Sequence, residues 1–310
     1  MRKLVLSLVL TVATVSYAQQ FEVVELTQVK TGAQKQAFHP KFMPDGNTLL
    51  VTSEGYDGLG LVDVKKGVYT KLTDMDGAGY YPVISEDGKT ILTRNMNRNA
   101  FSQCIYKLDV ESKALTLVAK DIDHTNQMSF SNGLATVAIS GKAVASQVGE
   151  AITPVRTMNN ILVTEEDLKI VVYTNGVRSV IDPLAGQYGD WDPQYSWTSL
   201  SPDRTKILFH CANDAFICDL KGNNVVKLGS MRAPQWRGNT HVVGMNDAHD
   251  GYFNTKSDIV IVRADGTQMQ QLTTPSDEIK MFPSVSADGS KIAFHTEREG
   301  KIYIMTIKEK

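Results

Sequence analysis

The sequence predicts an all-β protein: a six-bladed β-propeller of four-stranded antiparallel blades, closed by the N-terminal strand. Three observations predict it. A turn signature, Pro-x-apolar-x-x-Asp-Gly followed by a short β-branched run, recurs along the chain. Its copies are spaced close to the ~40–50 residues of a four-stranded propeller blade. The last copy is followed by too little chain for a whole blade, while an alternating strand near the start has no blade of its own.

The signature is clearest at Pro40-Lys41-Phe42-Met43-Pro44-Asp45-Gly46, Pro82-Val83-Ile84-Ser85-Glu86-Asp87-Gly88 and Pro283-Ser284-Val285-Ser286-Ala287-Asp288-Gly289. Three altered copies occupy residues 127–133, 198–204 and 234–240, with Asn132-Gly133, Asp203-Arg204 and Asn239 at the turn. Asp or Asn there bonds its own backbone, and Gly supplies a positive φ without steric cost. A β-branched or aromatic run after the turn reads as the second strand. A second hairpin follows, as in Gly60-Leu61-Val62-Asp63-Val64, the turn at Lys66-Gly67, and Tyr69-Thr70-Lys71-Leu72. The Asp265-Gly266 turn between residues 259–263 and 268–272 repeats the pattern.

Successive copies start 42, 45, 71, 36 and 49 residues apart. The long interval predicts an insertion of about 141–167 in the third blade, whose second hairpin is then expected at 168–173 and 177–181. A degenerate seventh blade is the competing reading. At the C-terminus, residues 301–307 give the last blade a third strand and nothing gives it a fourth. Phe21-Glu22-Val23-Val24-Glu25-Leu26-Thr27 is expected to supply it and protect the sheet edges.

Met1-Arg2-Lys3, the apolar residues 4–15 and Ser16-Tyr17-Ala18 read as a secretory leader, 1–18, cut after Ala18. Residues 19–310 then form one propeller domain. The formal charge is −2, and loss of Arg2 and Lys3 takes it to −4, so no basic field points to nucleic acid. The apolar run is shorter than the ~20 residues of a spanning helix, so no membrane insertion of the mature chain is expected. The three cysteines, Cys104, Cys211 and Cys218, make a poor disulfide framework. A four-residue loop would set Cys211 opposite Cys218 for a bridge. A two-residue turn would leave them diagonal and free.

The units Phe-Met-Pro-Asp-Gly, Val-Ser-Ala-Asp-Gly and Leu-Ser-Pro-Asp resemble the TolB-type, WD40-like propeller repeat, and the resemblance runs over about residues 21–308. It implies the fold and says little of function. TolB itself carries an α/β domain ahead of its propeller. Here a strand follows the leader directly, so TolB's part in envelope assembly does not carry over. A similar propeller precedes the hydrolase domain of prolyl-oligopeptidase-like peptidases, but the Gly-x-Ser-x-Gly elbow is missing.

In a propeller the inner strands line a channel, and the residues just before them surround its mouth. His39, Tyr81, His124, Trp197, Arg232 and Phe282 hold those places and are the candidate ligand- or partner-binding residues; aromatic and Arg side chains are common anchors of contacts. Packing between blades is the alternative role for the same rings. The aromatic-rich run from Gly186 to Trp197 is expected to plug between blades; exposed, it could instead stack against sugar rings or a peptide. No Walker loop, zinc spacing or His-Glu-x-x-His occurs. Asp74-Met75-Asp76-Gly77-Ala78-Gly79 lacks the spaced ligands of a calcium loop. The expectation is therefore a non-catalytic monomeric scaffold without a cofactor, periplasmic, envelope-associated or secreted, binding an envelope protein or cell-wall-linked partner. The alternative is a metal-assisted polysaccharide lyase or hydrolase using channel histidines from among His39, His124, His210, His241, His249 and His295.

Overall fold

The computed structural model describes residues 20–122, 125–131, 134–139, 142–146, 153–154, 161–175 and 177–310. The leader and the candidate His124 lie outside the described residues.

The described chain is all-β, with six four-stranded antiparallel blades. Blade 1 runs through Phe38–Phe42, Thr48–Thr52, Leu59–Asp63 and Val68–Thr73. Blade 2 is Val83–Ile84, Thr90–Asn97, Ser102–Asp109 and Leu115–Ile122. Blade 3 is Thr125–Ser131, Leu134–Ile139, Lys142–Ser146 and Thr153–Pro154. Blade 4 is Tyr195–Leu200, Lys206–Cys211, Asp214–Asp219 and Val226–Ser230. Blade 5 is Arg232–Arg237, His241–His249, Asn254–Arg263 and Gln270–Gln271. Blade 6 takes Lys280–Val285, Lys291–Thr296 and Ile302–Glu309 from the C-terminal end, and Phe21–Gln28 completes it by pairing along the last strand, Phe21 opposite Glu309 and Gln28 opposite Tyr303.

The six inner strands are those marked by the repeat. The turn chemistry is visible in each clear copy. In blade 2, Ser85 Oγ donates to Asp87 Oδ1 at 2.6 Å, and the Lys89 amide donates to the same oxygen at 3.0 Å. Blades 4 and 6 repeat the serine–aspartate bond at Ser201–Asp203 and Ser286–Asp288, both 2.6 Å. Gly88 has φ 70° at this turn, and Arg204 takes 61° at the matching position where the glycine is missing.

A three-stranded sheet, Ile161–Glu166, Lys169–Thr174 and Val177–Ile181, stands between blades 3 and 4. Its first strand packs beside the inner strands of both neighbours, so it takes a place of its own in the ring. This corrects the expected insertion at 141–167. Lys142–Ser146 and Thr153–Pro154 already complete blade 3, and the hairpin assigned to that blade belongs to the extra sheet. The extra sheet carries no Asp-Gly copy because its first turn is only two residues long. Asp167 and Leu168 adopt φ 50° and 62° between the paired Glu166 and Lys169, as a type I′ turn requires.

The core lies between neighbouring sheets. Second strands are buried on both faces and read as unbroken apolar runs, such as Leu49-Leu50-Val51 and Ile207-Leu208-Phe209. Outer strands are more exposed: in Val68–Thr73 only Leu72 is buried. Leu208, Ile217, Val242, Val260 and Val262 join blades 4 and 5; Ala293, Ile302, Leu49, Val51 and Val62 join blades 6 and 1. At ~1.5–3 kcal/mol for each fully buried aliphatic side chain, these seams are the main favourable term in closing the ring.

The cysteine bridge is ruled out by register. Cys211 is opposite Asp214 across a two-residue turn, while Cys218 is opposite Ile207. The two cysteines are therefore offset by four residues, roughly 13 Å of strand. Both are buried and free.

Candidate functional site

The inner strands share a local device. In blades 1, 4, 5 and 6 the pairing with the second strand slips across a matching stretch near the start of the inner strand: Phe38 to Lys41, Ser196 to Ser199, Arg232 to Gln235, and Met281 to Ser284. A bulge of this kind re-aims the side chain it carries. One residue in each bulge is left-handed: His39 (φ 49°), Trp197 (52°), Ala233 (46°) and Phe282 (50°); Tyr81 (49°) holds the matching place in blade 2. Bulky residues rarely adopt this conformation and it costs on the order of 1–3 kcal/mol, so five repetitions at one level of the ring mark an imposed geometry.

Four of the six candidates, His39, Tyr81, Trp197 and Phe282, line one central cavity of about 260 Å³, together with Lys41, Tyr56, Gln235 and Ser284. The rings form a collar. His39 stacks on Tyr56 with centroids 4.3 Å apart and meets Phe282 edge-on at 4.5 Å. Phe282 stacks over His295 at 5.7 Å. Tyr56 touches Tyr80, and Tyr80 touches Tyr81, both edge-on. Ring packing between blades and lining of the cavity are thus done by the same residues.

Arg232 sits next door. Its guanidinium lies 5.4 Å from the centre of the Trp197 ring and pairs with Asp247 at 2.7 Å. It lines a second, polar cavity between blades 4 and 5, with Ser196, His210, Asn213 and His249. Trp197 is the wall common to both cavities. In the run preceding blade 4, Tyr195 is the plug: it is fully buried, donates to Asp182 and accepts the Leu184 amide. Tyr188 and Trp191 instead form an exposed edge-to-face pair, centroids 5.2 Å apart, which corrects the expectation that this run is buried throughout.

The channel histidines are held neutral. Burial, then the nearby Lys41, lowers His39 to about 4. Burial, then Arg232, lowers His210 to about 4. Burial and His39 hold His295 well below the ordinary value. Geometry agrees for His295, whose Nδ1 accepts the His39 amide at 3.2 Å and must be unprotonated to do so. Between pH 6.5 and 4 the unfolded chain therefore binds more protons than the folded one, and stability is expected to fall as the pH falls through that window. The turn aspartates Asp265 and Asp288, held at about 2, act only below it. Melting curves from pH 7 to 4 check this. A His210→Gln variant is expected to show a shallower loss, and a flat profile in the parent protein contradicts it.

Lys41 and Tyr56 were not singled out by the sequence. Lys41 lies two residues past His39 on the same inner strand, and that alternation was the available signal. Tyr56 comes from the 3-10 turn Glu54–Tyr56, outside every repeat. Among the described residues, no three His, Cys, Asp or Glu side chains converge on a metal-sized point.

No family model and no curated protein sequence matches the chain. Solved structures do. TolB from Acinetobacter baumannii superposes with a TM-score of 0.53 at 19% identity, over 81% of this chain and 57% of that one. The chain thus spans a little over half the length of that protein. A chain of a mitotic checkpoint complex superposes with a TM-score of 0.62 at 10% identity, over 99% of this chain and 98% of that one. At such identities the likeness is one of fold: this chain is a β-propeller, TolB-like and WD40-like in architecture.

Proposed function

We propose that the protein is an exported, non-catalytic binding module of the cell envelope that docks a protein partner over the mouth of its channel. The observation that carries this reading is the collar: His39, Trp197 and Phe282 at matching bulges, and Tyr81 at the matching place in blade 2, are all left-handed and line one open cavity, with Arg232 beside them. Rigid aromatic anchors around a concavity are the chemistry of contact hot spots. The leader-like residues 1–18 support export, with Gln19 as the expected first residue of the protein recovered from the periplasm or medium.

A photo-reactive side chain at Tyr81, half exposed on the collar, is expected to crosslink one discrete species in native envelopes. The product should be lost in a Trp197→Ala background that melts normally. The same photo-reactive group at Val68, on the outer strand of blade 1, serves as the control. Crosslinking that is equal at both positions, or unaffected by Trp197→Ala, speaks against the mouth as the docking site.

A further inference from the structure

Two cations stand in or behind the channel wall with no carboxylate paired to them among the described residues. Lys41 lines the central cavity and its Nζ donates to the Pro82 carbonyl at 2.9 Å. Arg94, on the second strand of blade 2, is 2% exposed. Its Nη1 donates to Gln103 at 3.2 Å, its guanidinium lies 5.2 Å from the centre of the Tyr80 ring, and its Nε has no partner. Neither side chain takes part in an ion pair among the described residues, whereas Lys280 and Arg232 each have an aspartate. The two charges also act on one another: burial, then Arg94, lowers Lys41 to about 8. A buried guanidinium behind the wall and a cavity-lining ammonium, neither paired with a carboxylate among the described residues, are unfavourable unless an anion joins them.

We propose that the central cavity binds a carboxylate carried on a single ring-sized apolar body, the carboxylate on Lys41 and the ring within the collar of His39, Tyr81, Trp197 and Phe282. This rests on the channel being the binding site and adds what enters it. A lone amine, with no arginine among the described residues that line the cavity, suits a monoanion better than a phosphate. The cavity, about 260 Å³, exceeds the ~150 Å³ of an apolar cavity that holds benzene, so a ring with one acid group has room. The carboxylate adds the counter-charge that Lys41 and Arg94 lack, and the protonated amine donates to it. Two sources carry this chemistry: a free aromatic acid, or the C-terminal carboxylate of a partner ending in an aromatic residue.

The test is calorimetric titration of the full mature chain with phenylacetate, benzyl alcohol, a short peptide ending in phenylalanine, and the same peptide as its C-terminal amide. Either acid is expected to bind at pH 7 and its neutral counterpart to bind at least about tenfold more weakly, the discrimination of a charge-assisted hydrogen bond. Phenylacetate binding assigns the free acid; binding of the peptide acid alone assigns the partner terminus. Lys41→Met is expected to remove that preference and to melt no lower than the parent, which separates a lost ligand contact from a lost fold. Binding of the preferred acid should also weaken as the pH rises above 8. Equal binding of acid and neutral forms, no binding of either acid, or an unchanged preference in Lys41→Met overturns the proposal. The crosslink at the collar answers separately for the docking reading.

Discussion

A chain lacking residues 20–28 is expected not to fold cooperatively. Phe21–Gln28 is the fourth strand of blade 6, and its backbone hydrogen bonds along Ile302–Glu309 tie the start of the chain to its end. Phe21 is 1% exposed and sits in the seam between blades 5 and 6 with Val243, Ile261, Phe294 and Met305. Its ring meets His241 edge-on at 5.0 Å and lies under the Arg237 guanidinium at 4.6 Å. The Gln270 side chain bonds both backbone groups of Phe21, at 3.0 and 2.8 Å. Phe21→Ala alone should cost about 3–5 kcal/mol, the range for truncating a buried aromatic. That is a large part of the 5–15 kcal/mol by which domains are usually stable. Deletion adds loss of the strand pairing and exposes an edge. Thermal unfolding followed by circular dichroism decides it: a truncated chain that melts at the parent temperature shows that the ring does not need this closure.

Lys280→Met is expected to be the most damaging single change on the other side of the same seam. Asp258, on the third strand of blade 5, has a side chain 3% exposed; Lys280, which opens blade 6, is 6% exposed. Asp258 Oδ1 accepts from Lys280 at 3.3 Å and from Thr273 at 2.9 Å, while Lys280 also donates to Ser276 at 2.9 Å. Ser257 donates to the Lys280 carbonyl at 2.6 Å, so the pair is embedded in the crossover between the blades. Removing the lysine leaves a buried carboxylate served only by Thr273 and, at 3.7 Å, Lys256. Breaking one half of such a pair costs about 3–5 kcal/mol, or a melting temperature lower by about 10 °C in a domain of this size. The double variant Asp258→Leu/Lys280→Met should recover much of the loss, because two apolar side chains leave no stranded charge. A double variant no more stable than Lys280→Met would place the effect in packing rather than in charge.

The six four-stranded blades were legible because their first turns carry a chemical signature: Asp87 and Asp288 bind their own turns, and Gly88 and Gly289 supply the positive φ. The extra sheet escaped because Asp167-Leu168 makes its turn by backbone conformation alone, with no glycine to announce it. The Cys211–Cys218 question turned on loop length, and Ala212, at φ 55° in the two-residue turn, is an unlikely-looking residue for that place. At the site, His39, Tyr81, Trp197 and Phe282 were found because each directly precedes the first residue of a repeat copy. Tyr56 reaches the central cavity from a segment that follows no repeat, and Asp247 reaches the second cavity from the far end of a second strand, past the part that the repeat defines. Their positions depend on how neighbouring blades pack, which no single unit encodes.

The closing strand has a further consequence. The Lys310 amide donates to the Gln20 carbonyl at 2.9 Å, so the first described residue and the last one touch on the outer rim, away from the collar. A short linker can therefore join them, and new ends can be opened in an exposed hairpin tip such as Gly251-Tyr252. In such a circularly permuted chain every blade is built from contiguous sequence except the one newly cut. Cargo fused at Lys310 would hang from the perimeter and leave the mouth unobstructed.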